Sequence, residues 1–98
     1  MTIERKQDGS KLTMVLGGRL DTTTAPELEA EVKKLDGVTD LVFDMTSLEY
    51  VSSAGLRVLL ATFKQLKAAG GSMTLTHVGE NFMDVLQNTG LDAVFDIQ

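Results

Sequence analysis

Strand-like and helix-like stretches alternate along this chain, and that alternation leaves few folds open. Leu12, Met14 and Leu16 alternate with Thr13 and Val15, as in a strand with one buried face. Asp8-Gly9 lies just before them and predicts a hairpin pairing residues 3–7 with 11–16, because such a turn needs positive φ. Gly17-Gly18 ends or bulges the second strand. Thr24 then opens a helix as its cap, with Glu27 completing a capping box and Pro26 in the first turn. Ala25, Leu28, Val32 and Leu35 share one face of that helix. Glu29 and Lys33 pair on its other face. Asp36-Gly37 stops it.

Residues 41–43 form a short apolar run, expected as a central strand covered on both faces. A second helix is predicted over 53–69, with Leu56, Leu59, Leu60, Phe63 and Leu66 as its apolar stripe. A strand over 73–78 follows, then a third helix over 80–88 stopped by Gly90. Residues 94–97 read as a short strand or a helical turn. The order β-β-α-β-α-β-α-(β) implies a single small α/β domain over residues 1–98. Right-handed crossovers would build its mixed sheet, with three to four helices packed on it.

Chemistry-bearing residues are scarce. Cysteine is absent, so disulfides, thiolate metal sites and thiol nucleophiles are excluded. One His and no Cys leave no metal-ligand set, and no metal or cofactor is expected. Asp plus Glu number 14 against 9 for Lys plus Arg, a net charge of −5 that argues against direct nucleic-acid binding. No apolar run approaches the ~20 residues of a membrane span, and no signal peptide is evident. These bounds predict a soluble, cytoplasmic binding module rather than an enzyme.

Asp44 follows the predicted central strand, where open α/β sheets bind ligands. The acidic pair and Lys-Pro of a phosphoacceptor receiver are missing, so a turn carboxylate is the simpler reading. His77 is expected on the same strand face as Met73 and Leu75. An enzyme would need His77 in a shared pocket with Asp44 or Asp21. Gly17-Gly18-Arg19 lacks Walker spacing. Ser52-Ser53-Ala54-Gly55-Leu56 opens the second helix. Its serines suit capping, and Gly55 suits close packing. A hydroxyl there also lies among unpaired N–H groups at the positive dipole end. Phosphate at that point adds about −1.5 to −2 charge without unfolding the domain.

The chain resembles a known family in Gly18-Arg19-Leu20-Asp21, in Leu41-Val42-Phe43-Asp44-Met45, and in Leu48-Glu49-Tyr50-Val51-Ser52-Ser53-Ala54-Gly55-Leu56-Arg57. Thr89-Gly90-Leu91-Asp92-Ala93-Val94-Phe95 closes the match. In order and spacing these are similar to a STAS domain of the bacterial anti-sigma factor antagonist type. The resemblance implies a non-enzymatic antagonist whose unphosphorylated form binds an anti-sigma factor serine kinase and so frees the sigma factor. Phosphorylation at the start of the second helix reverses binding, and a metal-dependent serine phosphatase resets the switch. ATP belongs to the kinase.

The family run is Asp-Ser-Ser-Gly-Leu, with the modified serine directly before glycine. Ala54 stands at that position here, and Ser52 stands where the aspartate would be. The resemblance therefore implies Ser53 as the first phosphorylation candidate and Ser52 as the second. It implies a partner-binding surface of Asp21, Thr22, Thr23, Val51, Ala54, Gly55 and Arg57. The Ala54 departure also motivates an alternative, a constitutive STAS subunit or scaffold of a transport or signalling complex without the switch.

Overall fold

The computed structural model covers residues Met1–Gln98. Strand β1 (Thr2–Asp8) and strand β2 (Lys11–Leu20) form the expected antiparallel hairpin. Asp8 pairs with Lys11, so Gly9 and Ser10 make the turn, one residue later than the Asp8-Gly9 signal suggests. Strand β3 (Asp40–Val51), strand β4 (Ser72–Thr76) and strand β5 (Asp96–Ile97) then add in parallel, giving the order β1-β2-β3-β4-β5. Helix α1 (Ala25–Val32) links β2 to β3, and helix α2 (Ser53–Ala68) links β3 to β4. Helix α3 (Glu80–Thr89) and a 3₁₀ turn (Leu91–Ala93) link β4 to β5. The tail thus holds both a helical turn and a strand, where one or the other is expected.

Sequential strand order with crossovers of one hand puts every helix on the same side of the sheet. The burial pattern agrees. Leu12, Met14, Leu16, Leu41, Phe43, Met73 and Leu75 are fully buried toward the helices. Thr13, Val15, Val42, Asp44, Thr74 and Thr76, which alternate with them, are only half-buried. This corrects the reading of 41–43 as covered on both faces. Val42 sits on the uncovered face, where a β-branched side chain suits a strand without needing a helix over it.

Strand β3 is also far longer than the apolar run that marks it. Its pairing with β4 stops at Asp44↔Thr76, while its pairing with β2 continues to Leu20↔Val51. Asp44 therefore lies inside β3, not after it. Gly17-Gly18 does not end β2 but marks register shifts within the β2–β3 ladder. The extra residue of each shift lies on β3, opposite the glycine pair, and Gly18 holds φ +84, which an L side chain rarely adopts.

Helix α1 stops at Val32, with Lys34 and Leu35 N–H groups bonding three residues back in tighter turns. Ala25, Leu28 and Val32 are buried and Leu35 packs partly, while Lys33 Nζ stands 3.3 Å from Glu29 Oε1. Helix α2 buries Leu56, Val58, Leu59, Thr62 and Leu66, and Phe63 meets Phe95 edge-on at 5.6 Å. The buried Thr62 hydroxyl donates to Val58 O at 2.8 Å. Strand β4 ends two residues early because His77 turns to φ +56.

Candidate functional site

Two serines open α2, and their local structures differ. Ser52 is the N-cap, in extended conformation, and its Oγ accepts the Gly55 N–H at 3.3 Å. Its own N–H donates to Leu20 O at 2.8 Å, and its carbonyl accepts the Leu56 N–H at 2.9 Å. Ser53 is the first helical residue, and it is exposed. Its N–H and that of Ala54 start the helix with no intrahelical acceptor.

Gly55 is what lets this helix end meet the sheet. A Cβ there would lie 2.5 Å from Leu20 Cγ and 3.0 Å from both Leu20 Cδ2 and Leu20 O. Leu20 is fully buried, so it has no room to swing away. The absence of a side chain at residue 55 thus docks the serines against the end of β2, beside the turn that follows Leu20.

That turn is organised by Asp21. Its Oδ1 accepts the Thr23 N–H at 3.0 Å and the Thr24 N–H at 3.1 Å. The Thr24 hydroxyl donates to Arg19 O at 2.7 Å and accepts the Asp21 N–H at 2.8 Å. Thr24 therefore does not cap α1 with its side chain, and no capping box forms with Glu27. Its hydroxyl is turned back to Arg19 O and the Asp21 N–H, and the Glu27 N–H bonds to Thr24 O at 2.9 Å, while Asp21 caps the Thr22–Thr24 turn instead. The Thr24 N–H bond above all, then the Thr23 N–H and Thr24 hydroxyl, with Arg19 nearby, holds the Asp21 carboxyl below the usual aspartate range despite partial burial. Asp21 is thus a fixed negative charge at neutral pH.

Around this centre the expected residues divide. Thr22, Ala54 and Arg57 line a groove of about 410 Å³ between α1 and α2, with Ala25, Pro26, Glu29, Val58 and Ala61. Thr23 is exposed on the turn. Arg57 is exposed one turn beyond Ser53 on the same helical face. Val51 belongs elsewhere. It lines a smaller cleft of about 210 Å³ between the end of β3 and α3, with Leu48, Tyr50, Phe82 and Val85. Sequence reasoning missed Arg19 and Tyr50. The Arg19 guanidinium stacks 4.3 Å from the Tyr50 ring centroid and lies 3.7 Å from Asp21 Oδ2. Only the register Arg19↔Tyr50 joins them, and no local motif signals it.

His77 and Asp44 do meet, with Nδ1 3.3 Å from Asp44 Oδ1. This places His77 toward the uncovered sheet face rather than with Met73 and Leu75. The positive φ at His77 breaks the strand alternation that assigned its face. Asp44 Oδ1 also accepts the Thr46 hydroxyl at 2.6 Å and the Thr46 N–H at 3.0 Å. These bonds, led by the hydroxyl, hold its carboxyl below the usual range, with His77 and Lys6 adding to them against partial burial. The histidine side chain is 66% exposed, so the pair stands in solvent and not in a shared pocket. No helix is long and apolar enough to cross a membrane.

Comparison with known proteins extends this geometry. The model of the STAS domain family matches residues 2–98. The anti-sigma-B factor antagonist of Bacillus subtilis strain 168 is 30% identical over 98 residues, covering 99% of this chain and 90% of that protein. The crystal structure of an anti-sigma factor antagonist from Mycobacterium paratuberculosis superposes with TM-score 0.87 at 28% identity, covering 98% of this chain and 83% of that one. The phosphorylated form of the Bacillus cell fate determinant SpoIIAA shares the fold, with TM-score 0.79 at 19% identity, covering 99% of this chain and 91% of that one.

Proposed function

The chain belongs to the STAS domain family, and from that membership we propose that it is an anti-sigma factor antagonist switched by phosphorylation of Ser53. In this reading the unphosphorylated protein binds an anti-sigma factor that is also a serine kinase, and the sigma factor is released. Phosphorylation breaks the complex, and a metal-dependent serine phosphatase restores it. The setting is cytoplasmic, and the protein itself performs no catalysis.

One observation carries the choice of serine. Ser53 presents a free hydroxyl on the first turn of α2, whereas Ser52 Oγ is engaged with the Gly55 N–H. A phosphate on Ser53 would meet the unpaired N–H groups of the helix start, a contribution of only ~0.3–1 kcal/mol when exposed. Arg57, on the same face one turn along, adds a cation within reach of such a phosphate. The modified protein would therefore keep its fold. A thousandfold loss of partner affinity needs ~4 kcal/mol, so most of the discrimination must arise in the contact itself. A dianion added beside the fixed charge of Asp21 supplies repulsion against an acidic partner patch and a desolvation cost against an apolar one. The turn at Asp21, Thr22 and Thr23 and the groove at Ala54 and Arg57 adjoin the serine and suit that contact, while Gly55, buried against Leu20, positions the helix start rather than touching a partner. Val51 lies on the opposite cleft and serves the site by positioning Ser52.

Incubation with the cognate kinase and ATP, followed by mass spectrometric mapping, tests the reading. Modification at Ser53 with loss of the complex is expected. Absence of both modification and complex refutes it. The constitutive-subunit alternative draws on Ala54, which is part of the groove wall and offers no hydroxyl. It requires Ser53→Asp to leave partner binding unchanged, where the switch requires a large loss.

A further inference from the structure

The two edges of the sheet are unequal. Strand β5 is two residues long, whereas β1 runs for seven and has no strand on its outer side. β1 contains no proline, bulge or covering helix, and an edge of that kind is a template for another strand. Its charges, which would ordinarily deter pairing, are ordered. Reading Thr2-Ile3-Glu4-Arg5-Lys6-Gln7-Asp8 against its own reverse, with Arg5 at the centre, sets Glu4 against Lys6 twice.

We propose that β1 is a self-pairing edge, through which two copies of this chain join antiparallel along Thr2–Asp8 into one continuous sheet. In an antiparallel pair, directly opposite side chains lie on the same face, and a one-residue slip would turn each to the other face. Allowed registers therefore differ by two residues. With Arg5 on the twofold axis, Glu4 of each copy faces Lys6 of the other, Ile3 faces Gln7, and Thr2 faces Asp8. The neighbouring registers set Glu4 against Glu4 or Lys6 against Lys6, and each shortens the ladder. One like-charged apposition remains, Arg5 against Arg5, and the fold already answers it. Arg5 shares a sheet face with Met14, on the helix side, and its guanidinium reaches Glu31 Oε2 at 3.1 Å and Glu31 O at 3.3 Å within its own copy. Glu4 and Lys6 lie on the uncovered face, where no helix obstructs a second copy. A strand edge is a small contact beside the ~1,600 Å² of a standard interface, so the dimer is transient and concentration-dependent. The serines lie beyond the ends of β2 and β3, not on β1, so both would remain open in the dimer.

The cysteine-free chain makes the test clean. Directly opposed Cβ atoms in an antiparallel pair stand ~4.5–5.5 Å apart, close to the ~3.5–4.5 Å a disulfide spans. Arg5→Cys should form a disulfide-linked dimer under mild oxidation much faster than Lys64→Cys, an exposed control on α2. Sedimentation of the unmodified protein should show mass rising toward the dimer with concentration. Lys6→Glu should weaken this association about tenfold, and Glu4→Lys combined with Lys6→Glu should restore it. A protein monomeric throughout the series overturns the proposal, as does cross-linking at residue 5 no faster than at 64. A dimer indifferent to the single reversal, or unrestored by the swap in folded variants, also overturns it. None of these readouts depends on a kinase or on phosphorylation.

Discussion

Replacing Gly55 with alanine should destabilise the protein, although alanine is the better helix former. On α2 alone the substitution would gain ~0.5–1 kcal/mol, because glycine loses more backbone freedom on folding. The packing works against it. The new methyl would sit 2.5 Å from Leu20 Cγ and 3.0 Å from Leu20 O. The first is a branch atom of a fully buried side chain, and the second is the carbonyl that accepts the Ser52 N–H. Neither can yield without moving β2 or the start of α2, and forced overpacking of this kind costs ~1–3 kcal/mol. The balance is a net loss of about 1–2 kcal/mol, or roughly 5–10 °C in Tm for a domain of this size. Thermal and urea unfolding followed by circular dichroism would measure it. A double-mutant cycle locates the cause. In a Leu20→Ala background, itself costing ~2–5 kcal/mol, the part of the Gly55→Ala penalty due to Leu20 Cγ and Cδ2 should vanish, leaving only the contact with Leu20 O. A Gly55→Ala protein as stable as the parent, or a penalty undiminished in that background, would refute the argument that this close approach docks the serines.

Ser52→Ala should lower stability by about 0.5–1 kcal/mol through loss of the α2 cap, while Ser53→Ala should stay within ~0.5 kcal/mol of the parent in urea titration. The carboxyl of Asp21 is held below its unfolded value of ~3.9, so its contribution is present above that pH and fades as pH falls through the depressed folded value. Asp21→Asn should therefore lower the urea midpoint at pH 7 and flatten the loss of stability below about pH 4. Thr46→Val removes the hydroxyl that chiefly depresses Asp44, and the Asp44 carboxyl should then titrate closer to an ordinary aspartate by NMR.

Much of the architecture is legible locally. Period-two alternation marks β2, the Leu56-to-Leu66 stripe marks α2, and Gly90 ends α3 in the left-handed conformation. The Ser-Ser-Ala-Gly-Leu run by itself marks the start of α2. What local pattern misplaces depends on a distant partner. The extension of β3 to Val51 follows from its pairing with β2, not from residues 46–51, which include Thr46, Ser47 and Glu49. His77 leaves the core face through a single positive φ that alternation cannot register. Thr24 does not cap α1 because its hydroxyl is drawn back to Arg19 O and the Asp21 N–H.

The order of elements, the burial of one face of each helix and the presence of hydroxyls at the start of α2 belong to the sequence. They depend on periodicity and on end residues, which act over a turn or a few residues. The division of labour between Ser52 and Ser53 was decided by tertiary structure. So were the stacking of Arg19 on Tyr50, the separation of Val51 from the groove that holds Thr22, Ala54 and Arg57, and the bare outer edge of β1. These depend on strand order and register and, at the start of α2, on the close contact of Gly55 with Leu20. Contacts between residues some thirty positions apart are set by which strands lie side by side, and no local run of the chain carries that information.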